Sequence, residues 1–406
     1  MRISFVNQPW NYCPPIRGGS IAVWTYEVAR RTAVRHHVSV YARGGLQPRD
    51  EWFEGVHYRR FSAEVDEFLQ VWLRRAARHG LIRRPLFSLR SYYLGYMARV
   101  AYDLREERPD VVHLYNTPQF VSVVRALNPT ARIVLNMRAE WLTQLERQVW
   151  KPHLERADVL MGCSEYISTG IRARFPEYTG RTVTVPNGVD VTQFAPTEQE
   201  TVPRVLFVGR ISPEKGLHVL IEAMRRVVQR VPEATLRIVG REEVAPAEFI
   251  VGISDDPLVA DLARYYRGTS YLAGLKAQVA EAGLTRHVEF VGFVPPDRIA
   301  ECYRAAAVLT NPSYSESFGR ALIEAGAAAV PVVATRVGGM REVVAEGETG
   351  FLVPPGDVQG LAEALITLLQ DRALQERMGR AGRQRVVDTY SWESVTDALL
   401  DAYGGS

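Results

Sequence analysis

Asn311-Pro312-Ser313-Tyr314-Ser315-Glu316-Ser317-Phe318-Gly319-Arg320-Ala321-Leu322-Ile323-Glu324-Ala325 is the stretch from which the rest of the chain can be read. An apolar run, Ala307-Val308-Leu309-Thr310, leads into it and ends in turn chemistry. A glycine-containing helix start follows, and Pro331-Val332-Val333-Ala334-Thr335 reads as the next buried strand. The spacing predicts a βαβ unit whose strand-to-helix loop carries one carboxylate, Glu316, with a second, Glu324, further on. In helical geometry that separation advances roughly 12 Å, at about 1.5 Å per residue. Two carboxylates acting on one glycosidic bond stand about 5–9.5 Å apart. The pair is too stretched for a hydrolase dyad and suits two parts of one elongated ligand, with N–H groups of the helix start between them for an anion. A nucleoside diphosphate sugar has that shape. Two surface glutamates on an amphipathic helix are the plain alternative.

A second segment favours the ligand. Arg204-Val205-Leu206-Phe207-Val208-Gly209 reads as a buried strand and Arg210-Ile211-Ser212-Pro213-Glu214-Lys215-Gly216 as the loop after it. Leu217, Leu220, Ile221, Met224 and Val228 then keep helical spacing. Ligands of open parallel sheets bind beyond the carboxyl ends of strands, where this loop lies. It offers a guanidinium, Arg210, and an ammonium, Lys215, as a fork and a point charge for neighbouring phosphates. Of the 49 basic residues only Lys151, Lys215 and Lys276 are lysines, so Lys215 is a rare residue in a telling place.

With these segments quoted, the chain resembles the retaining glycosyltransferases of family 4. The resemblance rests on Gly209-Arg210 with Lys215, and on Glu316 and Glu324 with Phe318-Gly319 between them. It also rests on Pro331-Val332-Val333-Ala334 before Gly338-Gly339, on Val185-Pro186-Asn187-Gly188-Val189-Asp190 with Phe194, and on the early Gly18-Gly19-Ser20 loop. It implies the GT-B fold: two Rossmann-like doubly wound α/β domains facing a central cleft, with a C-terminal helix crossing back to the first. It further implies that the first domain binds the acceptor and the second a nucleotide-sugar donor, commonly a UDP-sugar. A sugar would then pass to an acceptor hydroxyl with retention, the leaving phosphate helping to deprotonate the acceptor.

The same resemblance assigns roles. Arg210 and Lys215 would stabilise the diphosphate, aided by N–H groups around Ser317, Phe318 and Gly319. Glu316 would hold sugar hydroxyls and Glu324 the ribose. Gly209 would end the donor strand, the turn holding Phe293 and Val294 would lie by the base, and Gly18 and Gly19 would let backbone approach a phosphate. Relatives often carry a histidine after the strand Arg132-Ile133-Val134-Leu135; here the position holds Arg138, or Asn136 under a shifted alignment. Arg138 would stabilise the departing phosphate, grip an acidic acceptor, or pair with Glu140. Ala329 stands where relatives carry Gly and fits a helix end if its φ stays negative. No cofactor and no metal are expected: the eight histidines are scattered and lack a ligand pattern. A catalytically silent sugar-nucleotide-binding or assembly protein, or a UDP-sugar epimerase, remains the alternative.

Composition agrees with two α/β domains. The 406 residues are 47% hydrophobic, enough for two cores, and no run of about 18 apolar residues is present. We expect residues 1–190 to form the first domain, 191–203 a polar linker, 204–388 the second domain and 389–406 the returning helix. The chain is net +9 up to Pro196 and net −6 after it, consistent with the overall +3. Three widely spaced cysteines, and an N-terminus that reads as a strand, point to the cytoplasm. Trp72 to Arg90 is basic, lacks acids and interleaves apolar residues. It is expected either to touch the inner face of the membrane, to receive an anionic acceptor, or to be a solvated helix face. The acceptor itself would be a small molecule, a lipid-linked sugar or a polysaccharide. No nucleic-acid module signature is present. The long segment 241–287 is expected to form a flap or an assembly surface.

Overall fold

The computed structural model describes residues 1–404 apart from 15–18, 46, 83, 145, 198–201, 245, 268 and 269, and the side chains of 78, 248 and 249. The chain divides into two compact units, Met1–Pro186 with Val395–Ser406, and Asn187–Ser394.

The first unit opens with β1 (Arg2–Val6), α1 (Ser20–Thr32), β2 (His37–Arg43), β3 (Asp50–Phe53) and β4 (Val56–Phe61). It continues through α2 (Glu64–Arg78), α3 (Leu94–Glu107), β5 (Val111–Tyr115), α4 (Pro118–Leu127) and β6 (Arg132–Met137). Two short helices, α5 (Trp141–Gln144) and α6 (Arg147–Leu154), precede β7 (Val159–Gly162), α7 (Glu165–Arg174) and β8 (Thr182–Thr184). The eight strands lie in the order β3-β4-β2-β1-β5-β6-β7-β8, parallel except for the edge strand β3. Strands such as Val111-Val112-His113-Leu114-Tyr115 are buried at every position because parallel sheets carry helices on both faces.

The second unit runs β9 (Arg204–Val208), α8 (Leu217–Arg230), β10 (Thr235–Val239), α9 (Ala247–Ile250), α10 (Pro257–Ala260), α11 (Tyr271–Glu281) and β11 (Val288–Gly292). There follow α12 (Ile299–Arg304), β12 (Val308–Asn311), α13 (Arg320–Ala327), β13 (Val332–Thr335), α14 (Met340–Val343) and β14 (Gly350–Val353). Three helices close the chain: α15 (Val358–Gln370), α16 (Arg372–Tyr390) and α17 (Trp392–Ala402). The six strands are all parallel, in the order β11-β10-β9-β12-β13-β14. Leu217, Leu220, Ile221 and Met224 point α8 into the core, and Asp357 and Asp371 cap α15 and α16 by accepting from backbone N–H groups.

Three sequence expectations change in detail. Residues 191–203 are not a free-standing linker throughout: Phe194 is buried edge-on against Tyr303, and the Val191 carbonyl accepts from Arg383. The segment is therefore partly built into the second unit, though 198–201 lie outside the described residues. At the C-terminus the change of unit falls inside α17, from Val395 onward, and Tyr403 Oη lies 2.7 Å from His113 Nδ1 on β5. Ala329 has φ +57°, not a negative value, because the chain must turn back sharply from α13 into β13. An alanine pays about 1 kcal/mol for that left-handed backbone.

Candidate functional site

In the second sheet the order reverses between β9 and β12, which lie side by side. That switch point is where an open parallel sheet leaves a crevice, and the loops after β9 and β12 line it. After β9, Gly209 N donates to Val239 O and Ile211 N to Arg241 O, so the loop starts as an extension of the sheet. One 3-10 turn, Pro213–Lys215, ends at Gly216, whose φ is +68°. A Cβ at Gly216 would lie 2.1 Å from the Pro312 carbonyl oxygen, so the two loops meet backbone to backbone here. Tyr314 N donates to Glu214 O at 2.8 Å and fixes the same contact.

These loops bring the predicted charges together. Lys215 Nζ lies 2.7 Å from Glu316 Oε2, both half-buried. Arg210 Nη2 lies 3.1 Å from Glu214 Oε1, with the guanidinium still partly open to solvent. Burial pushes the Glu316 carboxyl up, but the Lys215 ammonium, with lesser help from Phe318 N–H and Arg210, outweighs it and holds the carboxyl below its ordinary value. The Glu316 backbone is clamped as well. Its carbonyl accepts from Gly339 N at 3.1 Å, and a Cβ at Gly338 would lie 1.8 Å from the same oxygen.

Glu316 sits in the loop and α13 begins only at Arg320, so the two carboxylates do not share one helix and the helical-rise estimate does not hold for them. Gly319 starts α13 at φ +96° without a side-chain cap, and Ser317 and Phe318 precede it. Glu324 is buried one turn into α13, its carboxylate accepting from Tyr303 Oη at 2.5 Å and Arg320 Nη2 at 2.8 Å. Phe293 is exposed beyond β11 with the Arg241 guanidinium 4.2 Å over its ring, and Val294 is half-buried. Gly19 starts α1 at φ +87°; Gly18 lies outside the described residues.

The strand ends of the first unit are of another kind. Thr25 Oγ1 lies 2.9 Å from both Asn7 Oδ1 and Tyr115 Oη. His113 Nε2 lies 3.1 Å from the Asn136 amide nitrogen, which as donor leaves the ring proton on Nδ1 to bond Tyr403 Oη. Burial, with the Arg138 charge behind it, pushes His113 well below the ordinary imidazole range, so the ring is neutral. Arg138 is buried after β6: its backbone N donates to Asn116 Oδ1 at 2.6 Å and its guanidinium stands 4.8 Å over the Trp24 ring. Asn136, the other reading of the histidine position, is thus a core partner of His113.

Sequence reasoning passed over three contributors. Glu214 is fully buried and ties Arg210 to Ser212 Oγ. Tyr266, from the long segment after β10, brings its hydroxyl within 3.4 Å of Glu214 Oε2. His218 stacks on Tyr314 and lies 2.8 Å from Tyr271 Oη, so the segment also reaches the loop after β12. The aromatic run Tyr265-Tyr266 with Tyr271 was the available signal. Among the described residues no three His, Cys, Asp or Glu side chains are arranged to hold a metal ion, and no helix is long and apolar enough to cross a membrane.

Two parallel α/β units, with paired charges at the switch point of one sheet, define a GT-B protein. The comparisons agree. Residues 190–385 match the model of glycosyl transferases group 1, and residues 18–193 that of glycosyltransferase family 4. The chain is 30% identical to a glycogen synthase of Mycobacterium tuberculosis across 99% of its own length and 94% of the relative's. It is 32% identical to a D-inositol 3-phosphate glycosyltransferase of Kribbella flavida, covering 95% and 90%. In fold it is similar to Anabaena HepE solved in complex with UDP, with a TM-score of 0.72 at 21% identity and full coverage of both chains. The chain belongs to the family 4 glycosyltransferases.

Proposed function

We propose that this glycosyltransferase moves a hexosyl residue from a nucleoside diphosphate sugar, with UDP as the nucleotide, to an acceptor hydroxyl with retention at the anomeric carbon. The observation that carries the reading is the Lys215–Glu316 pair at the switch point of the second sheet. With no donor bound, the ammonium and the carboxylate satisfy each other. A diphosphate entering the crevice gives Lys215 a doubly charged partner and frees Glu316 to accept from sugar hydroxyls.

In this reading Arg210 is the second phosphate ligand, held by Glu214 so that its fork faces solvent. The uncapped start of α13 offers the N–H groups of Ser317, Phe318 and Gly319 to the same charge. Glu324 serves the ribose, and Phe293 with Val294 the base. Catalysis is then positioning and electrostatic stabilisation of the leaving diphosphate, with Arg138 a further candidate catalytic residue and no metal taking part. We further propose a cytoplasmic enzyme in peripheral contact with the inner face of the membrane, where lipid-linked acceptors lie.

Thermal-shift titration with UDP, GDP, ADP and their sugars tests the donor assignment. Stabilisation by the uridine series in wild type, lost in Lys215→Ala, is the expected result. No stabilisation by any nucleotide at millimolar concentration contradicts it.

A further inference from the structure

The helix α2 is built inside out. Its buried face carries Asp66 and Gln70, and Asp66 accepts from the backbone N–H groups of Gly95 and Tyr96 at the start of α3, both at 2.8 Å. Those two bonds fix the rotation of the helix, because turning it would strip the first turn of α3 of its partners and expose a packed face. The opposite face then carries Val65, Phe68, Leu69 and Trp72, spaced by three and four residues. Their exposures are 75, 68, 42 and 53%. On α8 the same spacing places Leu217, Leu220, Ile221 and Met224 wholly inside the core. One stripe is covered by its own unit and the other is not.

We infer that the outward face of α2 docks on a bilayer bearing anionic lipid headgroups. The charge around the stripe selects this occupant. Arg75 stands 5.1 Å over the Trp72 ring, Arg74 is exposed beside it, and no acid occurs between Trp72 and Arg90. At the other end of the helix Glu67 is held by Arg43, and Glu64 is the one exposed acid of the first turn. An apolar stripe with an aromatic ring and basic residues at its margin sinks into the headgroup layer while the arginines meet lipid phosphates. A second copy of this chain would instead bring two basic margins together against their mutual repulsion. The inference sharpens the membrane contact proposed above by moving it from Trp72–Arg90 as a whole onto named outward residues, and it does not depend on the donor site.

The full chain is sedimented with phosphatidylcholine vesicles with and without phosphatidylglycerol. Wild type, Phe68→Gln/Trp72→Gln and Arg74→Gln/Arg75→Gln are compared, with thermal unfolding and UDP binding measured alongside. The substituted side chains are exposed, so folding and UDP binding stay unchanged. Wild type is expected to sediment with the anionic vesicles only, more weakly at high salt, and each double variant to partition at least about tenfold less. If wild type stays in the supernatant with anionic vesicles, both this surface and the membrane reading fail. If it binds and the Phe68→Gln/Trp72→Gln variant binds equally, this surface fails while the membrane contact stands elsewhere. If wild type is a dimer that this variant dissociates, the face belongs to a second copy and the inference is overturned.

Discussion

The two sheets of this chain carry opposite chemistry around their strand ends. At the β9–β12 switch point the loops present charges that hold one another: Lys215 with Glu316 and Arg210 with Glu214. At the β1, β5 and β6 strand ends of the first unit the buried groups are mostly neutral and bonded to each other, with one cation, Arg138, laid over Trp24. In the proposed function Lys215 exchanges Glu316 for an anionic ligand, while the buried Glu214 keeps Arg210 in place. The arrangement in the first unit is committed to its own core, since a buried polar group that loses its partner forfeits about 1–3 kcal/mol. In the proposed function the donor charge therefore falls to the second unit.

The largest expected effect breaks the comparison at Lys215. Lys215→Ala leaves Glu316 without its paired ammonium, and initial rates with the uridine donor should fall by about 10²- to 10³-fold, as when a donor to developing negative charge is removed. Arg138→Met should lower the same rates and leave UDP affinity within about threefold, since the proposed phosphate contacts are those of Lys215 and Arg210. Next comes the backbone clamp. Gly338→Ala drives a Cβ into the Glu316 carbonyl, which would stand only 1.8 Å away. Chemical unfolding should show a loss of at least about 2 kcal/mol, and UDP affinity should fall with it.

On the first unit's side, His113→Leu orphans Tyr403 Oη and the Asn136 amide. Its cost should be about 2 kcal/mol of stability with no change in nucleotide selectivity. The imidazoles also predict a pH dependence. Burial foremost pushes His153 and His218 each down to about 4 and His113 well below its ordinary value. A folded value below the unfolded one, near 6.5, means that protonation favours the unfolded chain. Their contribution is complete above about pH 6.5 and is lost as pH falls toward 4, at up to about 1.4 kcal/mol per pH unit for each ring. Urea midpoints followed from pH 7 to 5 should fall, and fall less in His218→Phe. The smallest effect is a gain: Ala329→Gly relieves the backbone at φ +57° and should raise stability by about 1 kcal/mol in chemical unfolding.

Much of this was legible in the sequence. Buried parallel strands announce themselves as Val-Leu-Phe-Val or Val-Val-Ala runs, and the loop after the first of these brings Arg210 and Lys215 to the switch point as read. What stayed hidden depended on contacts between segments distant in sequence. Nothing local shows that Tyr266 reaches Glu214, or that α13 waits until Arg320 and leaves Glu316 in the loop. Ala329 was misread because residue type alone does not set φ where tertiary packing dictates the turn. The inversion of α2 was hidden for a like reason. Period reveals that a helix has an apolar stripe, whereas Asp66 bonding to α3 decides which way the stripe faces.

Isothermal titration of UDP into wild type, Lys215→Ala and Arg138→Met tests most directly the claim that the second unit holds the donor. The predicted result is binding to wild type, at least about tenfold weaker binding to Lys215→Ala, and nearly unchanged binding to Arg138→Met. Wild-type affinity retained in Lys215→Ala, or lost only in Arg138→Met, would contradict it.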